Sequence, residues 1–218
     1  VLFRSPSCAG GGQGAGSTCG AGNDDCCSSL LVPGGSFFRS NDATYPGSVA
    51  TFRLDRYAVT VGRFRAFLAA GMGTRTSPMV AWSGGHPAIA NSGWNPTWQG
   101  YMQATAADVG ARMRDNGACW NGSGYGTWTT APAQSDNNPI NCATWFEAMA
   151  FCAWDHGWLA TEVELNYAQA GGEEQRTYPW SVPAGSTAID LSYANFNAFA
   201  GSPNYPVSVG AKSPRGDG

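Results

Sequence analysis

The chain has 218 residues, within reach of one large domain with its own core. Charged residues make up only 12% of it, about half the usual share, against 43% hydrophobic, which excludes a disordered chain and predicts a fold held by aromatic packing and many turns. The formal charge of −3 comes from scattered acids, and the one local basic cluster, Arg53, Arg56, Arg63 and Arg65, reads as a solvated strand and helix face, so no nucleic-acid partner is expected.

No apolar run approaches the roughly 18 residues that a membrane span needs. No signal-like stretch opens the chain, so any export signal is expected upstream of it. Leu2-Phe3-Arg4-Ser5 is also what a common sequencing-library adapter encodes, and residues 1–5 are set aside from the fold as artefactual.

Residues 1–29 read as a Cys- and Gly-rich linker and residues 30–218 as the domain proper. The linker carries Cys8, Cys19, Cys26 and Cys27. Adjacent Cys26 and Cys27 are poorly placed to bond to each other, so each is expected to reach back to Cys8 or Cys19. The glycines of residues 10–16 do not satisfy Gly-x-Gly-x-x-Gly and follow no strand pattern, which argues against a phosphate cradle.

Val32-Pro33-Gly34-Gly35-Ser36-Phe37 predicts a turn into a strand, and Phe52-Arg53-Leu54-Asp55 alternates with period two. Thr60 then caps a helix whose Phe64, Phe67 and Leu68 fall on one face, ending at Gly71. A second helix is predicted from Thr105 to about Asn116, with Asp108 at capping-box spacing and Gly117 as its stop. Thr144-Trp145-Phe146-Glu147 and Thr161-Glu162-Val163-Glu164 both carry the Thr-x-x-Glu box, in which side chain and backbone amide bond reciprocally, with Gly157 and Gly171 as stops. Trp82, Trp94, Trp98, Trp120, Trp128 and Trp180 lie among Gly, Pro and Asn, so a large irregular portion is expected to be held by aromatic rings.

Candidate chemistry is sparse. A Gly-x-Ser-x-Gly elbow is absent, and His156, at a helix end beside Asp155, reads as a partner for the last carbonyls rather than a catalyst. Glu162 and Glu164 occupy a helix N-terminus, where the dipole favours carboxylates, and Glu173 with Glu174 gives no stronger acid/base signal. Seven cysteines (Cys8, Cys19, Cys26, Cys27, Cys119, Cys142 and Cys152) form no paired Cys-x-x-Cys knuckles, and His86 and His156 are the only histidines, which argues against structural zinc. Disulfides are the default, hence a secreted, periplasmic or cell-surface location. Cys119 and Cys142 are candidates for one bridge, leaving Cys152 either reactive or missing its mate.

Four blocks in order carry a family resemblance: Val32-Pro33-Gly34-Gly35-Ser36-Phe37 with Phe52 to Phe64; Pro139-Ile140-Asn141-Cys142-Ala143-Thr144-Trp145-Phe146-Glu147-Ala148; Phe151-Cys152-Ala153-Trp154; and Leu159-Ala160-Thr161-Glu162-Val163-Glu164 followed by Tyr178-Pro179-Trp180. Together they resemble the formylglycine-generating enzyme (sulfatase-modifying factor) family over residues 31–218, and the Cys-rich lead-in resembles that of exported myxobacterial-type members. The resemblance implies an α+β fold distantly like a C-type lectin, with short helices around a small antiparallel sheet and much irregular structure. It further implies oxidation of a cysteine in a sulfatase-type client to formylglycine, using dioxygen and copper(I) held by two cysteines. Those cysteines follow an Arg-x-Gly-Gly-Ser segment that is expected beyond Gly218, so no residue here is assigned a catalytic role.

By the same resemblance Cys152 bonds a cysteine near the C-terminal end of the family domain, and Asn195 with the Phe196 carbonyl begins a calcium site, although residues 197–205 offer no Asp. Two departures stand out: Ala58 replaces a usual Glu, and the family's Arg-Leu-Pro-Thr-Glu-x-Glu-Trp block reads Trp158 to Leu165, removing an ion pair and a packing anchor. The alternative function is a non-catalytic, secreted lectin-like module whose exposed Trp and Tyr between Trp82 and Trp128 bind a glycan or peptide. A third expectation is a partial product that does not fold alone for want of its C-terminal strands.

Overall fold

The computed structural model describes residues 5–114, 126–195 and 206–212. In chain order its strands are β1 (Ser17–Cys19), β2 (Asp24–Asp25), β3 (Ser29–Val32), β4 (Gly35–Phe38), β5 (Pro46–Val49) and β6 (Phe52–Asp55). Its α-helices are α1 (Val61–Ala69), α2 (Ala106–Met113), α3 (Trp145–Trp154) and α4 (Glu162–Gln169), joined by 3-10 turns and long irregular stretches. The class is α+β. Among the described residues the sheet content takes the form of three two-stranded antiparallel ladders, β1 with β2, β3 with β6 and β4 with β5.

The chain divides into two compact units. The first gathers the described residues of Val1–Ser28, Tyr57–Leu159 and Pro203–Ala211; the second gathers those of Ser29–Arg56, Ala160–Ser202 and Lys212–Gly218.

The first unit has a helical, aromatic core. Phe64 and Phe67 of α1 pack on Phe151 of α3 with ring centroids 5.9 and 5.6 Å apart, and Trp94, Met102, Val109 and Met113 complete the buried set. Each such side chain stabilises by about 1.5–3 kcal/mol through removal from water. All three helices of this unit start at a threonine: the Thr60 hydroxyl accepts from the Arg63 amide, and Thr105 and Thr144 form full capping boxes with Asp108 and Glu147. Helix α2 stops at Met113, with Arg114 already extended, three residues before the predicted Asn116. Gly117 lies outside the described residues.

The stop of α3 differs from the expectation. Gly157 has no left-handed backbone; the residue that does is His156, at φ 66°, and Gly157 donates its amide to the Cys152 carbonyl at 2.8 Å. That bond from the second residue past the cap closes a Schellman turn, with histidine in the place glycine usually takes. His156 therefore shapes the helix end with its backbone rather than its ring.

The Cys-rich lead-in is not a linker but part of this first unit. Cys8 bonds to Cys27 and Cys19 to Cys26, and Cys8, Cys19 and Cys26 are fully buried with Tyr57 and Val209 around them. The segment docks through backbone: a Cβ on Gly14 would lie 1.9 Å from the Asp136 carbonyl oxygen, and one on Gly62 would lie 2.2 Å from that of Gln13. Only glycine permits so close an approach. Around this seam the Thr60 hydroxyl donates to the Gly14 carbonyl, the Thr18 hydroxyl to Asn137 and the Tyr57 hydroxyl to Asp24.

The second unit is built differently. The turn predicted at Val32 leads into β4 as expected, but it also follows an unpredicted strand, β3, which pairs with β6 from Ser29–Asp55 to Val32–Phe52. β4 and β5 form the hairpin, whose Phe37 meets Tyr167 of α4 edge-on at 5.1 Å. Helix α4 has its capping box between Thr161 and Glu164, and Gly171, at φ 69°, ends it as expected. The free edge of β4 is covered by side chains: the Gln175 amide accepts from the Phe38 N–H and donates to the Phe38 carbonyl, and Glu173 accepts from the Ser36 N–H at 3.4 Å.

Candidate functional site

Of the four arginines read as a solvated strand and helix face, Arg53 and Arg56 are exposed, but Arg63 and Arg65 are not solvated. Arg63 is 2% exposed and ion-paired to Asp155 at 2.7 Å, and Arg65 pairs with Asp136 at 2.8 Å while lying over the Trp128 ring. A third pair, Arg112 with Glu147, ties α2 to the first turn of α3, and Arg112 also donates to the Cys142 carbonyl. Asp136, Glu147 and Asp155 are thus each matched by a guanidinium, the condition under which a buried charge is tolerated.

These pairs position α3, which carries the residues of greatest chemical interest. Its first turn presents Trp145, 52% exposed, beside Phe146; the latter stacks on Tyr101, itself 66% exposed, with centroids 4.6 Å apart and planes 7° from parallel. Trp98 stands edge-on to Trp145 at 5.0 Å. Its last turns carry Cys152, a half-buried thiol packed against the aromatic core, and end on Asp155. Of the loop tryptophans, Trp94 is fully buried and Trp82 is exposed; Trp180 stacks between Tyr178 and Tyr193 in the second unit, and Trp120 lies outside the described residues.

Cys142 is disulfide-bonded, and Cys119, the partner considered for it, lies outside the described residues. Glu162 and Glu164 do not act as a pair: Glu164 is buried in its capping box, while Glu162 sits exposed. Glu174 pairs with Arg176 and Glu173 covers the β4 edge. Leu165, where the resemblance expects a tryptophan, is 43% exposed.

Of the calcium site implied by the resemblance, Asn195 is described, while Phe196 and residues 197–205 lie outside the described residues. Copper(I) needs two thiols, and among the described residues only Cys152 carries one. Cys8, Asp25 and Cys27 lie close enough to share an ion, but both sulfurs are spent in a disulfide.

Sequence reasoning missed Ser7, Asp136 and Asp155 as partners. A signal existed for Asp155: a carboxylate at a helix C-terminus faces the negative end of the dipole and is favoured there by a cation beside it. Arg63, 92 residues earlier, is that cation.

The geometry defines an α+β domain whose Thr-capped helices are braced by buried guanidinium–carboxylate pairs and whose irregular chain is held by aromatic rings. The chain belongs to the sulfatase-modifying factor enzyme 1-like domain family, which matches it over residues 18–216. A formylglycine-generating enzyme of Thermomonospora curvata is 30% identical to it over 163 residues, covering 69% of this chain and 51% of that protein. The formylglycine-generating enzyme of Mus musculus is 39% identical over 44 residues, 20% of this chain and 12% of that protein. The chain spans about half the length of the Thermomonospora relative.

Proposed function

We propose that this chain supplies the framework of an oxidoreductase that converts a cysteine of a sulfatase-type client polypeptide to formylglycine. The observation that carries the reading is the family match running almost end to end, residues 18–216, with a relative of that named activity aligned along most of it. Copper would activate dioxygen for this reaction, and its thiol ligands belong to a part of the protein other than the described residues. What these residues contribute is position: the Arg112–Glu147 pair and the Thr144 box fix α3. The buried disulfides support folding in an oxidising compartment, the periplasm or the cell exterior.

The test uses the protein expressed from its whole gene, loaded with copper and supplied with dioxygen and a cysteine peptide of the sulfatase type. Aldehyde captured by a hydrazide probe supports the reading. No aldehyde, under conditions where the Thermomonospora enzyme labels the same peptide, overturns it.

A second reading rests on the exposed rings of Tyr101 and Trp145, which offer faces for stacking on a glycan. Titration of a panel of oligosaccharides against tryptophan fluorescence decides it; a flat response throughout removes it.

A further inference from the structure

The two disulfides of the lead-in are nested: Cys8–Cys27 encloses Cys19–Cys26. They differ in how solvent reaches them. Cys19 and Cys26 both show 0% exposure, whereas in the outer bond Cys8 is sealed and Cys27 is only half-buried. Thiol–disulfide exchange needs a path to one sulfur, so the outer bond is open to attack at Cys27 and the inner one is not.

The outer bond stands next to a buried polar hub. Ser7, adjacent to Cys8 and 1% exposed, has its hydroxyl 3.4 Å from the Cys27 sulfur. Its amide donates to one Asp155 oxygen at 2.8 Å and its hydroxyl to the other at 3.0 Å, while the Arg63 Nε donates to the Ser7 hydroxyl at 3.0 Å. Arg63 also reaches the Cys26 carbonyl at 3.3 Å. The Pro6–Cys8 turn is therefore a lid on the Arg63–Asp155 pair, pinned beside its hub by Cys8–Cys27.

We propose that Cys8–Cys27 is a redox-sensitive latch whose opening, with Cys19–Cys26 intact, lifts the Pro6–Cys8 turn and admits water to the Arg63–Asp155 pair. A dithiol is the reductant. Its thiolate attacks the Cys27 sulfur, expelling Cys8 as a thiolate that takes up a proton; the reagent's second thiol then closes on the mixed disulfide and releases Cys27. Two electrons pass to the protein and the reagent leaves as a cyclic disulfide. The Asp25 carboxylate, within 4.8 Å of both sulfurs, slows an approaching thiolate but gives it no route to the sealed inner pair. The rest of the lead-in stays docked, because β1 and β2 keep their ladder, the Thr18–Asn137 bonds, the Tyr57–Asp24 bond and the Gly20 amide on the Val209 carbonyl. This latch is independent of the activity proposed above.

The chain is treated with graded dithiothreitol, alkylated and mapped by peptide mass spectrometry, with amide exchange followed in parallel. The expected result is labelling of Cys8 and Cys27 at reductant doses that leave Cys19 and Cys26 bonded, together with loss of exchange protection at Ser7 while residues 17–25 keep theirs. The double variant Cys8→Ser, Cys27→Ser is expected to show the same unprotected turn without reductant. Labelling of Cys19 and Cys26 first or together with the outer pair overturns the latch, as does an unchanged Ser7 amide after selective labelling. Should the double variant fail to fold, the graded reduction of the unaltered chain still decides.

Discussion

The two units reach stability by opposite routes. In the first, charge is taken inside: Arg63, Asp136, Glu147 and Asp155 are nearly sealed from water, and each is satisfied by a named partner. In the second, apart from Glu164 buried in its capping box, polar side chains work at the surface: the Gln175 amide and the Glu173 carboxylate cover the β4 edge, and Arg176 pairs with the exposed Glu174. The same kinds of atom do both jobs, but removing one costs far more where water cannot replace it. The difference teaches that burial, not hydrogen-bond number, sets the consequence of a substitution here.

The sharpest way to break this contrast is Asp155→Ala, which leaves Arg63 buried without its carboxylate and Ser7 without its acceptor. A loss of about 3–5 kcal/mol is expected in urea unfolding; a loss below about 1 kcal/mol would mean that water already reaches the pair. In the second unit Gln175→Ala exposes the Phe38 N–H and carbonyl to solvent, which bonds them in turn, so the expected loss is only about 0.5–1.5 kcal/mol.

A gain is expected at the end of α3. A non-glycine residue in the left-handed region costs about 1–2 kcal/mol, and glycine itself sacrifices about 0.5–1 kcal/mol of chain entropy. His156→Gly should therefore stabilise by up to about 1.5 kcal/mol, read as a higher unfolding midpoint. The smallest effect belongs to Asp42, fully exposed in the second unit, whose carboxylate is held below its ordinary 3.8 by the Thr44 backbone amide and then the Thr44 hydroxyl. A lowered folded pKa stabilises above the ordinary value and is lost as pH falls through the lowered one. Asp42→Asn should erase that acid sensitivity in the exchange of the Thr44 amide, while the unaltered chain loses protection there only below about 3.8.

What the sequence revealed follows the range of the interaction concerned. The Thr caps and their Glu or Asp partners were legible because a capping box spans three residues, and Phe52 to Asp55 because alternation is local. The Arg63–Asp155 and Arg65–Asp136 pairs join residues 92 and 71 apart, and no local pattern announces them. The lead-in was misread as a linker because its Gly and Ser composition is that of a flexible segment; its docking runs through backbone atoms, which composition does not report. The family's chemistry was legible only through resemblance, since the one carboxylate of α3, Glu147, is spent on its capping box and on Arg112.

The seam between Gly14 and Gly62 carries a consequence for reading other sequences. Because main chain meets main chain there with no room for a single extra carbon, these two positions work as a joint marker: a homologous sequence with alanine at Gly62 cannot seat a lead-in of this shape. Sorting relatives by that one residue should separate those that wear a stapled N-terminal collar from those that begin directly at the first strand of the domain.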